Sequence, residues 1–146
     1  MSRAIKLKDN DYIDSTGVTH NRKQLSDILS SFGKYQMSSR NRVTYSTSSS
    51  WTWKSVANTI TVSDAGVYLC LYVAWIGTTL GTEMDLRFTV NGNIQGGSGN
   101  ALGNKGVAFD IFTLSAGDVV GVSMQTSGTG STTIYDPNLI IVKLGY

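Results

Sequence analysis

Cysteine, proline and histidine each occur once in these 146 residues. A single cysteine excludes an internal disulfide, and Cys70 lies inside an apolar strand-like run, where it reads as a small buried residue rather than a reactive thiol. One histidine, His20, far from the one cysteine leaves a catalytic triad or a Cys/His site without material. Charged residues make up 15% of the chain, and no apolar run approaches the ~20 residues of a membrane-spanning helix. The opening Met1-Ser-Arg-Ala-Ile-Lys-Leu-Lys interrupts any apolar stretch with charge, so no signal peptide is visible and synthesis in a cytoplasm without that export route is expected. A domain of this length buries about two thirds of its unfolded surface, so its core needs neither disulfide nor metal.

The remaining chemical motifs are incomplete in the same way. Asp9, Asp11 and Asp14 miss the Asp-x-Asp-x-Asp-Gly calcium spacing, and no later glutamate completes it. Gly97-Ser-Gly-Asn-Ala-Leu-Gly103 lacks the Gly-Lys-Ser/Thr ending of a phosphate loop. Glu83 and Asp85 sit at the start of one strand but do not make a hydrolytic carboxylate pair. The expectation is a protein with no catalytic residue, no metal and no cofactor, and not an enzyme.

What is present is unevenly spread. The net charge of +2 conceals nine cations against four anions in residues 1–54, and three against six in residues 55–146. Arg3, Lys6, Lys8, Arg22, Lys23, Lys34, Arg40 and Arg42 are scattered with acids between them, which argues for a solvated arm, or one docked on an acidic partner, and against nucleic acid. Ser46-Thr-Ser-Ser-Ser50 is a small polar stretch of the kind that joins units, so the chain is expected to divide into an arm, 1–45, and a domain, 46–146.

In the arm, Ile5 and Leu7 alternate with lysines, and Asp14-Ser-Thr-Gly17 reads as a turn. Leu25, Ile28, Leu29 and Phe32 fall at i, i+3, i+4 and i+7, which predicts an amphipathic helix over about 21–32, stopped by Gly33. So short a helix is marginal alone. Its stripe either associates with its own copies or packs on the domain.

The rest reads as strands. Ile60–Val62, Val67–Ile76 and Leu86–Val90 alternate or run apolar, and Asn91-Gly92 is a hairpin signal because both residues tolerate positive φ. Gly96–Gly106 reads as a glycine-rich loop, Val107–Leu114 and Val119–Gln125 as a hairpin around Ser115-Ala-Gly-Asp118, residues 127–132 as a loop, and Leu139–Leu144 as the last strand behind Pro137. Many short strands without a second helix predict an antiparallel sandwich or barrel.

Val67–Ile76 has two apolar faces: Val67, Leu69, Leu71, Val73 and Trp75 on one, Tyr68, Cys70, Tyr72, Ala74 and Ile76 on the other. One face fills a core, and the other also needs a cover, most economically another subunit. Trp51 and Trp53, alternating with Thr52 as an opening strand would, and Trp75 either pack or present rings for sugar stacking.

Three stretches carry a family resemblance over roughly residues 54–146. Gly66-Val-Tyr-Leu, Thr113-Leu-Ser-Ala-Gly-Asp-Val-Val-Gly-Val and Ile140-Ile-Val-Lys-Leu144 resemble, in order, motifs of the tumour necrosis factor and complement-type jelly roll. Tyr135-Asp-Pro-Asn and Lys143 depart from that pattern. The resemblance implies an all-β jelly-roll knob that forms homotrimers and binds without catalysis. By it, Leu69, Leu71, Val73, Val142 and Leu144 face the three-fold axis, while Tyr68 and Cys70 face the core. The arm, Ala4 to Leu29, resembles the opening of small fibre or appendage proteins of tailed bacteriophages. That implies a virion structural protein, a head or tail fibre or decoration knob, made in the host cytoplasm. Its partners would be its own copies and other virion proteins reached through the arm, with no membrane and no nucleic acid. The alternative is a receptor-binding module for host surface glycan, which should expose Trp or Tyr beside Gly96–Gly106 or Ser127–Thr133.

Overall fold

A computed structural model describes residues 11–13, 15–16, 19–21, 35–39, 42–95, 99–102 and 105–145. The chain forms two compact units, Met1–Lys34 and Tyr35–Tyr146. In the first, β1 (Asp11–Ile13) pairs antiparallel with β2 (Thr19–Asn21), with Tyr12 opposite His20 and a turn at Ser15 and Thr16. The expected helix begins on a residue, Asn21, that is strand; its stripe of Leu25, Ile28, Leu29 and Phe32 lies outside the described residues.

The second unit is an antiparallel β-sandwich built from eleven strands. They are β3 (Tyr35–Ser39), β4 (Arg42–Thr47), β5 (Lys54–Ser55), β6 (Ile60–Thr61), β7 (Gly66–Ile76), β8 (Met84–Val90), β9 (Asn93–Ile94), β10 (Gly99–Leu102), β11 (Lys105–Leu114), β12 (Val119–Thr126) and β13 (Gly130–Gly145). In the first layer β13 lies between β7 and the pair β3 and β4, and β11 lies on the far side of β7. In the second layer β12 lies between β8 and the short strands β5 and β6. β10 pairs with both β11 and β8 and so carries the ladder from one layer to the other.

The core follows from alternation. Tyr68, Cys70, Tyr72, Ala74 and Ile76 of β7 are buried, as are Leu86 and Phe88 of β8, Val120, Val122 and Met124 of β12, and Leu139 and Ile141 of β13. Phe112 meets Phe88 edge-on at 5.7 Å between ring centroids, joining the layers. Buried hydroxyls are satisfied: Tyr72 donates to the Val56 carbonyl at 2.9 Å, and Tyr45, with no exposure at all, to that of Thr52 at 2.9 Å. Gly66 is required by space, since a Cβ there would strike the Gly145 carbonyl and come within 2.7 Å of Lys143 Cε. Lys143, which departs from the family pattern, is buried on the inward side of β13, and the strand continues past it.

Several sequence readings are corrected. The division expected at residue 46 falls between Lys34 and Tyr35, because β3 and β4 both pair with β13 and Tyr45 is core. Gln36 ties this segment to the second layer too, donating to the Thr61 carbonyl at 2.9 Å and accepting from Ser63 N at 3.3 Å. Ser115–Asp118 does not close a hairpin, since β11 and β12 have no ladder in common and the turn passes from one layer to the other. Part of the glycine-rich stretch is strand β10, and from Gly130 the expected loop is strand; β13 runs through Pro137 at a bulge between Tyr135 and Asn138, where a missing N–H costs no ladder bond. Trp51 and Trp53 lie ahead of β5, with Trp51 in a turn at φ 56°. Asn91-Gly92, by contrast, turns β8 into β9 with φ of 53° and 81° as expected.

These pairings predict which truncations fold. Removing residues 1–34 should leave a strand-rich domain that melts cooperatively. Removing 1–45 takes β3, most of β4 and the Tyr45 side chain, a loss of about 3–5 kcal/mol for the large core side chain alone. That product should be unfolded or melt far lower by circular dichroism; equal melting of the two would contradict the boundary.

Asp118 holds the inter-layer turn. Its Oδ2 accepts from Ser115 N at 2.8 Å and its Oδ1 from Asn91 Nδ2 at 2.9 Å, while Asn91 Oδ1 accepts from Val119 N at 2.9 Å. The Ser115 N–H, and then the Asn91 amide, favour the carboxylate and lower its pKa below the usual 3.8. A carboxylate with a lower pKa folded than unfolded stabilises above the unfolded value, and that contribution drains away as pH falls through the folded value. Between about pH 5 and about pH 2, the wild-type melting temperature should therefore fall more steeply than that of Asp118→Asn, the two curves converging at the acid end. Parallel curves would assign the acid sensitivity elsewhere.

Candidate functional site: the outer face of the first layer

The two layers turn different chemistry outward. On the second, Asp85, Arg87 and Thr89 of β8 stand beside Ser123 and Gln125 of β12. Arg87 Nε reaches Asp85 Oδ1 at 3.3 Å, and Gln125 Nε2 donates to Asp85 Oδ2 at 3.4 Å. This is the ordinary polar back of a half-buried sheet.

The first layer presents apolar side chains across four strands. One cross-strand row is Met37, Ile140, Leu71 and Phe109; the next is Tyr35, Val142, Leu69 and Ile111. Phe109 is 65% exposed, Ile111 56% and Val73 51%, a contiguous group of large exposed apolar side chains unlike the polar back of the second layer. Alternation puts them there, since β7 and β11 each carry apolar residues on both sides.

Among the described residues, charge enters this face only at one end. Arg42 of β4 lies opposite Tyr135 of β13, Tyr135 opposite Trp75 of β7, and Trp75 opposite Lys105 of β11. The four form a single row, cation–aromatic–aromatic–cation, and all are exposed. The Arg42 guanidinium carbon sits 5.4 Å from the Tyr135 ring centroid, and Lys105 Nζ 5.2 Å from that of Trp75, both within cation–π range. Gly77 seats the Tyr135 ring, because a Cβ there would lie 3.1 Å from its Cε2. Among the described residues neither cation has a carboxylate partner.

Of the residues expected at a subunit contact, Leu69, Leu71 and Val142 are half-buried on this face, and Val73 and Leu144 are exposed on it. The sequence reading missed Tyr35, Met37, Val107, Phe109 and Ile111. The signal for the last three was available: Val107, Phe109 and Ile111 alternate with Ala108, Asp110 and Phe112, which, apart from Asp110, is the two-faced pattern that marked β7. It also missed the cations of the row, which only strand register brings together. His20 lies in β2, and no group of three or more His, Cys, Asp or Glu able to hold a metal occurs among the described residues.

Burial, and then the Asp110 charge, push the Cys70 thiol up to about 12, and burial alone pushes the Tyr72 phenol well above its usual range. Cys70 should therefore resist a thiol-reactive disulfide reagent at neutral pH and react only as the domain unfolds, with labelling rates that follow denaturant concentration. Rapid labelling of the native protein would contradict its placement.

No protein-family model matches the chain, and no curated protein matches it. Among solved structures, the native structure of a family 35 carbohydrate binding module from Clostridium thermocellum is similar at a TM-score of 0.42 and 18% identity, over 70% of this chain and 90% of that one. A likeness of that strength carries no argument about what this chain binds.

Proposed function

We propose that this protein is a non-catalytic structural component of a phage virion, a tumour necrosis factor-like knob in which three copies pack through the outer face of the first layer and the N-terminal unit docks the trimer on the particle. The observation that carries self-association is the apolar face itself. Fully burying a side chain of this size contributes about 1.5–3 kcal/mol relative to leaving it exposed, and several lie there together. Rotation of like copies brings apolar rows onto apolar rows without opposing charges in their midst. The virion placement is supported by the resemblance of the arm, and the trimeric state by that of the closing strands.

Light scattering tests the first step. The mass should be about three times the 15.7 kDa of the chain. Phe109→Asp, at an exposed position that the protomer's own core does not need, should keep the strand spectrum and reduce the mass to that of one chain, because an unpaired carboxylate in an apolar contact costs several kcal/mol. A Phe109→Asp protein that stays trimeric, or a wild type that is monomeric at micromolar concentration, would overturn the reading.

A second reading, recognition of host surface glycan, is favoured by the Arg42–Tyr135–Trp75–Lys105 row. It exposes Tyr135 and Trp75 beside the two segments from which a glycan reader was expected to draw its rings. The two readings are compatible, since a trimer would repeat the row three times and gain avidity for a repeated ligand.

A further inference from the structure

We infer that the row Arg42–Tyr135–Trp75–Lys105 is a subsite for an acidic saccharide, a sugar chain bearing carboxylate or phosphate groups; this rests on the glycan-binding reading. The first argument is spacing. Neighbouring strands lie about 4.8 Å apart, so the four residues span about 14 Å in a straight line. Two rings occupy the centre and a cation stands at each end. Pyranose rings present C–H faces that lie on aromatic rings, and Trp75 and Tyr135, 51% and 38% exposed, are adjacent on neighbouring strands. A saccharide laid along the row would meet a ring with each of two sugars and a cation with each flanking acid group. Arg42 offers a planar fork for such a group, and Lys105 a point charge.

The second argument is where the row sits. Trp75 is six residues along β7 from Leu69, about 20 Å at strand rise. The apolar surface runs from there up to Val73 and Val107, directly beside the row, so the row lies at its rim, where charge can remain solvated until a ligand arrives. The neighbouring groups fit a sugar rather than a second protein core: Asn138 is half-buried on the adjacent row, opposite Val73, and Asp136 is exposed on the bulge beside Tyr135, in reach of hydroxyl donors. With that carboxylate counted, the site still carries net positive charge. Single-stranded nucleic acid also stacks on rings beside cations, but it needs a basic track along its backbone. Among the described residues the cations here are two, and the surface next to them is apolar.

The test is direct binding of the full chain, by calorimetry at low and high salt, to a panel of named probes. The acidic ones are oligogalacturonate, sialyllactose, a hyaluronan oligomer and a glycerol-phosphate teichoic acid; the neutral one is a dextran oligomer; the last is oligo(dT). At least one acidic saccharide should bind and lose at least tenfold in affinity at high salt. Trp75→Ala, and the pair Arg42→Ala with Lys105→Ala, should each weaken it by tenfold or more, while melting temperature and mass by light scattering stay as in the wild type. Equal binding of dextran, unaffected by loss of the two cations, would overturn the acidic class and leave glycan recognition standing. No binding to any saccharide would overturn both. Preference for oligo(dT), or a change of oligomeric mass in Trp75→Ala, would overturn the subsite by assigning the row to nucleic acid or to the subunit contact.

Discussion

A strand with two apolar faces must be covered twice, and this domain is arranged around two such strands, β7 and β11. Their inward residues are met by β8 and β12 across the sandwich, and that contact fixes the core. Their outward residues, Leu69, Leu71, Phe109 and Ile111 among them, are left to whatever the molecule packs against. The second layer is under no such demand: Asp85, Arg87 and Gln125 satisfy one another on its back. The asymmetry between the two layers lies in the pattern of side chains rather than in any single residue.

How much of this was legible in the sequence depended on the range of the interaction concerned. Local signals translated faithfully. The alternation of Val67–Ile76 sorted its side chains correctly between core and exterior, and Asn91-Gly92 made its turn because both residues accept left-handed backbone. Readings that needed a partner strand did not translate. Ser115–Asp118 looks like a hairpin turn from either side, and only pairing distinguishes a turn within a sheet from a turn between sheets. Ser46–Ser50 looks like a linker because it is small and polar, yet the strand before it carries Tyr45 into the core.

The candidate site divides along the same line. The apolar face could be read from two-residue periodicity, and was in fact read for β7 alone. The row at its end could not, since Arg42, Trp75, Lys105 and Tyr135 come from four strands spread over more than ninety residues, and nothing in composition or spacing ties them. Its chemistry is a product of register: a shift of one residue in β13 would turn Tyr135 to the opposite side and dissolve the row.

β13 has a further consequence, for the order of events in folding. It is the last of the described strands yet lies in the middle of the first layer, between β7 on one side and β3 with β4 on the other. Until it is made, β3 and β4 have no sheet to join and β7 keeps an open edge. Every ladder it forms closes a long loop, the kind of contact that slows folding. A nascent chain must therefore hold its apolar strands apart until residue 145 is available, and copies growing side by side risk pairing through those edges before each has closed on itself. A single late strand thus sets the interval during which this protein is most exposed to chaperones, and to its neighbours.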